Sequence, residues 1–393
     1  MAYYPNDILT PHFLTGAIQQ RPTREAIKQS YIGLELLGQK EVPSRRLMWD
    51  SIQSENNLAG FYGRKGEPIP GEDLLFSSHF ANMIDMMATR HLDEEIVDSV
   101  RAPGMSAVFS EGGSAFPIQG IRQRFDDHVR SRLAWCDDAI DAQIEFMIMS
   151  ALQGALVWPP TTEAGAAITP AMPHWNSDMS LSVTFPLKSG FKQDASTLTG
   201  AGSRAATQKV WTATDSNIIK DLEIIAQYMV EEKGINADDM LIIMSRDILS
   251  YQAFNTTVLD WIRGKNYESS LAGSSVTTSM LKDFIKTKLG FDIRTYDAQW
   301  TYRTDIDGAP PTTNRVRFLP KGKVLILPKS EMSSLGYFAN TYHKDGAGDF
   351  KTGKWTWLHE DDEPPFQLRL GVGYVGFPVL EQPESIFVLD AYN

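Results

Sequence analysis

Gly290-Phe-Asp-Ile-Arg-Thr-Tyr-Asp297, then Arg317-Phe-Leu-Pro-Lys-Gly-Lys-Val-Leu-Ile-Leu-Pro328, then Pro364-Pro-Phe-Gln367 and a closing Val388-Leu-Asp-Ala-Tyr392 are the segments on which this chain turns. Gly290 follows an apolar-periodic segment, Val276 to Leu289, and so predicts a helix stop with a strand after it. Strands are expected over Phe291 to Tyr302, Arg315 to Leu319 and Val324 to Leu327, with Asp307-Gly308 turning the first hairpin. Beyond Pro364-Pro365, Phe366, Leu368, Leu370, Val372 and Tyr374 alternate with Gln367, Arg369, Gly371 and Gly373, the period of a strand. These late strands have no partner next to them in sequence. They are expected to return to the sheet near an earlier long helix, which makes that helix's domain discontinuous.

Working outward toward the N-terminus, Asp215-Ser-Asn217 supplies N-cap chemistry for a helix with Ile218, Leu222, Ile225, Ala226 and Met229 on one face, stopped by Gly234. Met240-Leu-Ile-Ile-Met244 is apolar throughout and predicts a buried strand. A further helix is expected over Arg246 to Arg263. Residues 215–340 read as one α/β domain. Before it, residues 160–214 are rich in Gly, Ser, Thr and Pro, with short strands expected at Met179 to Phe185 and Gln208 to Thr214.

From Phe125 the apolar residues Val129, Leu133, Cys136, Ile140, Ile144, Ile148 and Leu152 recur at spacings of three and four. This predicts a helix of about 40 Å at about 1.5 Å per residue. Asp126, Asp127, Asp137, Asp138, Asp141 and Glu145 read as its solvated or partner-facing flank. Upstream, Leu47 to Ile52 and Leu74 to Met87 read as two strands of a long hairpin whose end, Asn56 to Gly71, is dense in Gly and Pro. Trp49, Phe61, Tyr62, Leu75, Phe76, Met83, Met86 and Met87 exceed what an isolated ribbon can bury, so another surface is expected to cover them. Residues 1–46 mix Pro5, Pro11, Pro22 and Pro43 with short apolar groups and read as an extended arm.

Composition narrows the function. At 393 residues and 42% hydrophobic content the chain supports ordinary globular cores. A net charge of -12 argues against coating double-stranded nucleic acid, which requires clustered Lys and Arg. The single cysteine, Cys136, leaves no intramolecular disulfide and no multi-cysteine metal site. The start Met1-Ala-Tyr-Tyr-Pro-Asn-Asp7 lacks a basic region ahead of an apolar core, so no secretory signal is expected. No apolar run approaches the roughly 20 residues of a membrane span, and no membrane partner is expected.

No motif carries catalytic chemistry, and no catalytic residue, metal site or cofactor is predicted. Gly371-Val-Gly-Tyr-Val-Gly376 has dinucleotide-loop spacing but lies inside an alternating strand with no helix after it. His91-Leu-Asp-Glu-Glu95 lacks the second His that a zinc helix needs. His359-Glu-Asp-Asp-Glu363 offers oxygens for a hard cation, yet reads as a solvated turn ahead of Pro364. Trp355, Trp357 and Tyr342 lack the interleaved basic residues of a single-strand stacking platform.

The order of these elements resembles that of lambda-type tailed-phage major capsid proteins, the HK97-fold major head proteins, over nearly the whole chain. The likeness is best at Asp137 to Leu156, at Phe318-Leu-Pro320 through Gly336-Tyr-Phe338, and at Glu363 to Ala391. It implies an α+β, HK97-like capsid fold: an N-terminal arm (1–46), an extended E-loop hairpin (47–100), a peripheral domain (101–214) with a spine helix over about 125–155, an axial α/β domain (215–340), and a return to the peripheral domain (341–393). It further implies a non-enzymatic protein that self-assembles into pentamers and hexamers of an icosahedral shell enclosing genomic double-stranded DNA without sequence-specific binding. Scaffolding and portal proteins, and in some cases a decoration protein, are the implied partners. The place is the virion, with assembly in the host cytoplasm. The E-loop would lie on the adjacent subunit, making Trp49, Phe61, Tyr62, Arg64, Lys65, Leu75 and Phe76 the expected intersubunit contacts. No Lys, Asn and Glu set for a covalent crosslink matches here.

Other readings remain open from the residues alone. An encapsulin-like compartment holding a cargo enzyme shares the fold. A metal-dependent cytosolic hydrolase would use Asp361, Asp362 and Glu363 with a divalent ion. A sheet-rich tail or baseplate component would give tubes or rings.

Overall fold

The computed structural model describes residues 31–53, 75–92, 118–160, 181–198, 208–266, 277–304, 312–329, 332–344, 350–360 and 368–392. Their buried apolar residues form two clusters, to both of which the strands Met240–Met244, Lys323–Pro328 and Phe387–Asp390 contribute.

The first core is built around one strand, Leu368–Leu380. Ile84–Leu92 pairs antiparallel along one of its edges. Along the other lie Trp355–Glu360 and then Gly336–Asn340, with Gln39–Glu41 added parallel outside the latter. The long helix, Ile118–Leu152, packs across this sheet. Its predicted seam is the buried one: Val129, Leu133, Cys136, Ile140, Ile144, Ile148 and Leu152 are all at most 4% exposed. Leu370 to Leu380 is buried without interruption, because the helix covers one face while Trp49 and Phe185 close on Phe377 from the other. A strand covered on both faces loses its polar alternation.

The glycines of this strand follow from the same packing. Cβ atoms at Gly373 and Gly376 would run into the rings of Trp355 and Phe338. The dinucleotide-like spacing is therefore a record of aromatic side chains crossing a buried strand, and the strand that carries it leads into no nucleotide-binding helix.

The second core holds a mixed five-stranded sheet in the order Lys192–Asp194, Phe387–Asp390, Lys323–Pro328, Met240–Met244, Asp292–Thr295. Helices Ile218–Lys233, Arg246–Ala253, Thr256–Asn266 and Thr278–Leu289 accompany it. Local signals set their ends. Asn217 accepts from the Lys220 amide at 3.1 Å, and Thr277 accepts from the Met280 amide at 3.3 Å. Gly290 takes the left-handed conformation (φ 77°) that ends the last helix.

The structure departs from the sequence expectations at several points, among them the run Leu74 to Met87, which is two strands, Leu75–Asn82 and Ile84–Leu92. The run Phe291 to Tyr302 breaks into Asp292–Thr295 and Gln299–Thr304, the second pairing with Thr312–Arg317 as a separate ribbon. The cause is Asp297, whose carboxylate accepts from Ser245 Oγ (2.7 Å), the Arg246 amide (3.2 Å) and Arg317 Nη1 (2.6 Å) and turns the chain. The helix expected over Arg246 to Arg263 is two, because Asn255 caps the second by accepting from the Thr257 amide at 2.9 Å. Gln208 to Thr214 forms turns around the buried Trp211 instead of a strand. The final strand, Phe387–Asp390, joins the second sheet and not the sheet of the long helix, whereas Gly336–Asn340 joins the first. The axial and peripheral limits expected at 340 thus cut across the observed sheets.

Another departure is on the long helix. Asp137 and Glu145 are 3% and 2% exposed, not solvated. Lys354 reaches Asp137 and also Asp141, the latter at 2.5 Å. Glu145 is satisfied by two backbone amides and a tyrosine. A buried carboxylate persists only where such partners replace water.

Candidate assembly surface

Arg46–Gln53 and Leu75–Asn82 pair antiparallel as a two-stranded ribbon. The chain then passes through Met83 straight into Ile84–Leu92, the edge strand of the first sheet. The Met83 amide donates to the Arg45 carbonyl at 2.9 Å, and Arg45 pairs with Asp85 at 3.4 Å. The base of the ribbon is in this way fixed to the body.

Alternation decides which residues face out. Leu47, Trp49 and Ser51 are buried, while Met48 and Phe80, a directly opposed pair, are 66% and 74% exposed. Trp49 stacks on His79 (5.5 Å between ring centroids) and packs on Phe377 (6.0 Å) and Phe185 (6.4 Å). Trp49, expected to meet a neighbouring copy, is instead the peg that seats the ribbon on its own subunit. Met83 and Met86 are likewise buried in the same core. The expected contacts Leu75 and Phe76 lie on the second ribbon strand. Phe61, Tyr62, Arg64 and Lys65 fall outside the described residues, as do Asp361, Asp362 and Glu363.

Met48 and Phe80 were missed as outward residues, although strict alternation from Leu47 and Trp49 contains the signal. Beside them Ser78 Oγ donates to Asp50 at 2.6 Å, so the outer face alternates an apolar pair with a polar one. Other exposed large apolar side chains include Tyr251 and Met280 on helices of the second core, Phe254 just past a helix end, and Tyr342 with Phe350, edge to face at 5.4 Å. Large exposed apolar side chains set side by side, as Met48 with Phe80 and Tyr342 with Phe350, suit contact with another surface.

Among the described residues, no group of three or more His, Cys, Asp or Glu is placed to hold a metal. Burial pushes the Cys136 thiol up to about 12, so the nucleophilic thiolate is suppressed. Burial also holds the phenols of Tyr31 and Tyr374 up at about 12. His343 stacks on Trp355 at 4.9 Å inside the fold, and the tryptophan pair is sheet packing as expected.

No family model matches the chain, and no curated protein matches it. Among solved structures, one described as a prophage capsid protein from Escherichia coli CFT073 aligns over 99% of both chains with a TM-score of 0.55 at 13% identity. A phage-related protein from Bordetella bronchiseptica RB50 aligns over 97% of both, with a TM-score of 0.44 at 14% identity. A virus-like particle from Pyrococcus furiosus aligns over 96% of this chain and 98% of its own, with a TM-score of 0.42 at 9% identity.

Proposed function

We propose that this chain, which has the HK97-like fold of phage capsid proteins, is a major capsid protein that assembles with copies of itself into the pentamers and hexamers of an icosahedral shell. The observation that carries this reading is the ribbon: its inner face is spent on anchoring, and its outer face presents Met48 and Phe80 to solvent. A neighbouring copy is the surface that covers them. In this reading Phe61, Tyr62, Arg64, Lys65, Leu75 and Phe76 take part in the same contact between copies.

The role is structural and not enzymatic. A net charge of -12 suits a wall that encloses double-stranded DNA without gripping it. Many weak contacts between tiles, made together, hold such a wall closed. Scaffolding and portal proteins are the expected partners in assembly, a decoration protein joins in some shells of this kind, and the host cytoplasm is the expected place. The protein's final location is the virion.

Co-expression with a scaffolding protein, followed by sedimentation and negative-stain microscopy, tests the proposal. Closed megadalton particles are expected. A monomer under every assembly condition, or tubes in place of shells, would refute it. Particles that package a cargo enzyme and no DNA would point to a storage compartment.

A further inference from the structure

The five-stranded sheet of the second core has two edges, Lys192–Asp194 and Asp292–Thr295, four inter-strand steps or about 19 Å apart. A helix flanks each edge, and both helices feed the same apolar cluster. Beside the first edge, Ile218–Lys233 packs Tyr228 on Phe191 with 5.5 Å between ring centroids. Beside the second lies Thr278–Leu289, where Lys282 Nζ donates to Thr295 Oγ1 at 3.3 Å.

Each side carries charge that its own subunit leaves unanswered. Glu231 and Glu232 sit in the last turn of Ile218–Lys233, where the aligned peptide dipoles disfavour an acid. Glu232 is held by Lys188 at 2.7 Å, whereas Glu231 is exposed and meets no cation among the described residues. At the other edge Asp292 is taken by Lys286 (2.8 Å) and Lys329, and Arg294 by Glu35. Lys282 and Arg246 are left without an acid among the described residues. Burial and then the like charge of Arg246 hold the Lys282 ammonium below the ordinary lysine range. A cleft of about 340 Å³ opens beside Lys282, lined also by Lys286 and Ile293. Near each unanswered charge stands an exposed apolar side chain, Val230 before Glu231 and Met280 before Lys282.

We propose that these two edges meet between copies: the helix end bearing Val230 and Glu231 of one subunit seats against Met280, Lys282 and Arg246 of the next. The inference rests on the ring reading above and adds a second contact to that of the ribbon. A ring of identical subunits closes by joining two unlike surfaces. Here one is acidic and the other basic, each with an apolar neighbour, and the width of the sheet keeps them from meeting within one subunit. Opposed charges of this kind fix partner and register more than they add affinity. In a chain of net charge -12, two copies repel except where such patches face each other.

Charge exchange on the full chain tests the contact. Glu231→Lys and Lys282→Glu should each lower particle yield by about tenfold or more, because like charges then face each other at every ring contact. The double variant opposes unlike charges again and should recover most of the yield. Unfolding midpoints are read on the same preparations, and Arg246→Glu, at an exposed position, repeats the reversal should Lys282→Glu weaken the subunit. A second measurement is geometric. Cys136 is buried, so Val230→Cys with Met280→Cys supplies the accessible thiols. A short bis-maleimide should then link assembled subunits into a ladder ending at five and six copies on a denaturing gel, and neither single cysteine variant should give one. Wild-type yield in the single charge reversals, a double reversal no better than the singles, or normal particles without a ladder would each overturn this contact while leaving the shell reading standing. If the wild-type chain forms no particles, the shell reading fails and this contact falls with it.

Discussion

Trp355 occupies the space that any side chain at position 373 would need. The two residues are register partners on adjacent strands, and a Cβ on Gly373 would overlap the indole. The same indole is stacked on His343 with 21° between the rings. Gly373→Ala should push the indole off that stack and destabilise the subunit by about 1–3 kcal/mol, the usual cost of overpacking. Denaturant midpoints measure it. Adding Trp355→Ala should recover part of the loss, so a strictly additive double variant would show that the positions do not compete.

Lys354 gives a second prediction. It meets two carboxylates of the long helix, Asp137 and Asp141, whose side chains are 4% and 13% exposed. Removing the cation leaves both acids buried without it. Lys354→Met should lower stability by about 3–5 kcal/mol, as breaking one side of a buried pair does. The triple variant Lys354→Met, Asp137→Asn, Asp141→Asn should regain most of that in urea unfolding. Equal losses in the single and triple variants would mean the lysine matters for its packed stem and not its charge.

The legibility of this fold followed distance along the chain. The seam of the long helix and the caps at Asn217, Gly234 and Gly290 depend on neighbours within a turn or two, and they are readable from spacing and residue type. Asp137 and Glu145 follow the seam residues Cys136 and Ile144 by one position, at the margin of the apolar stripe. What buries them, Lys354 and the Ile32 amide, lies 217 and 113 positions away. Sheet membership was lost for the same reason: Phe387–Asp390 inserts between Lys192–Asp194 and Lys323–Pro328, a pairing that no local pattern encodes. On the assembly surface the hairpin was legible as a ribbon. Its faces were not separated, because counting apolar residues ignored their parity.

Alkali should unfold the subunit early. Tyr31 and Tyr374 are held protonated to about 12 against an ordinary 10.0, and Cys136 to about 12 against 9.0, in each case first by burial. A pKa raised by folding stabilises below the unfolded value and is lost as pH rises through the folded one. Stability should therefore be level up to about pH 9 and decline toward about 12, with tyrosinate absorbance appearing together with unfolding. Cys136 should stay unreactive to thiol reagents until the same transition. Thiol labelling of the native protein near pH 9 would contradict the burial that drives all three shifts.

The two faces of the ribbon should respond differently to substitution. Trp49 is packed between His79, Phe185 and Phe377, so Trp49→Ala removes a buried aromatic and should cost about 3–5 kcal/mol in subunit stability. Met48 and Phe80 touch mostly solvent in the isolated subunit. Met48→Ser with Phe80→Ser should shift stability by no more than about 0.5 kcal/mol, the range of surface changes, while particle yield falls sharply. Unfolding midpoints and sedimentation of assembled material, measured on the same preparations, separate the effects. If the double variant assembles at the wild-type yield, the outer pair is not a contact between copies, and the apolar groups at Phe254 and Phe350 become the next surfaces to alter.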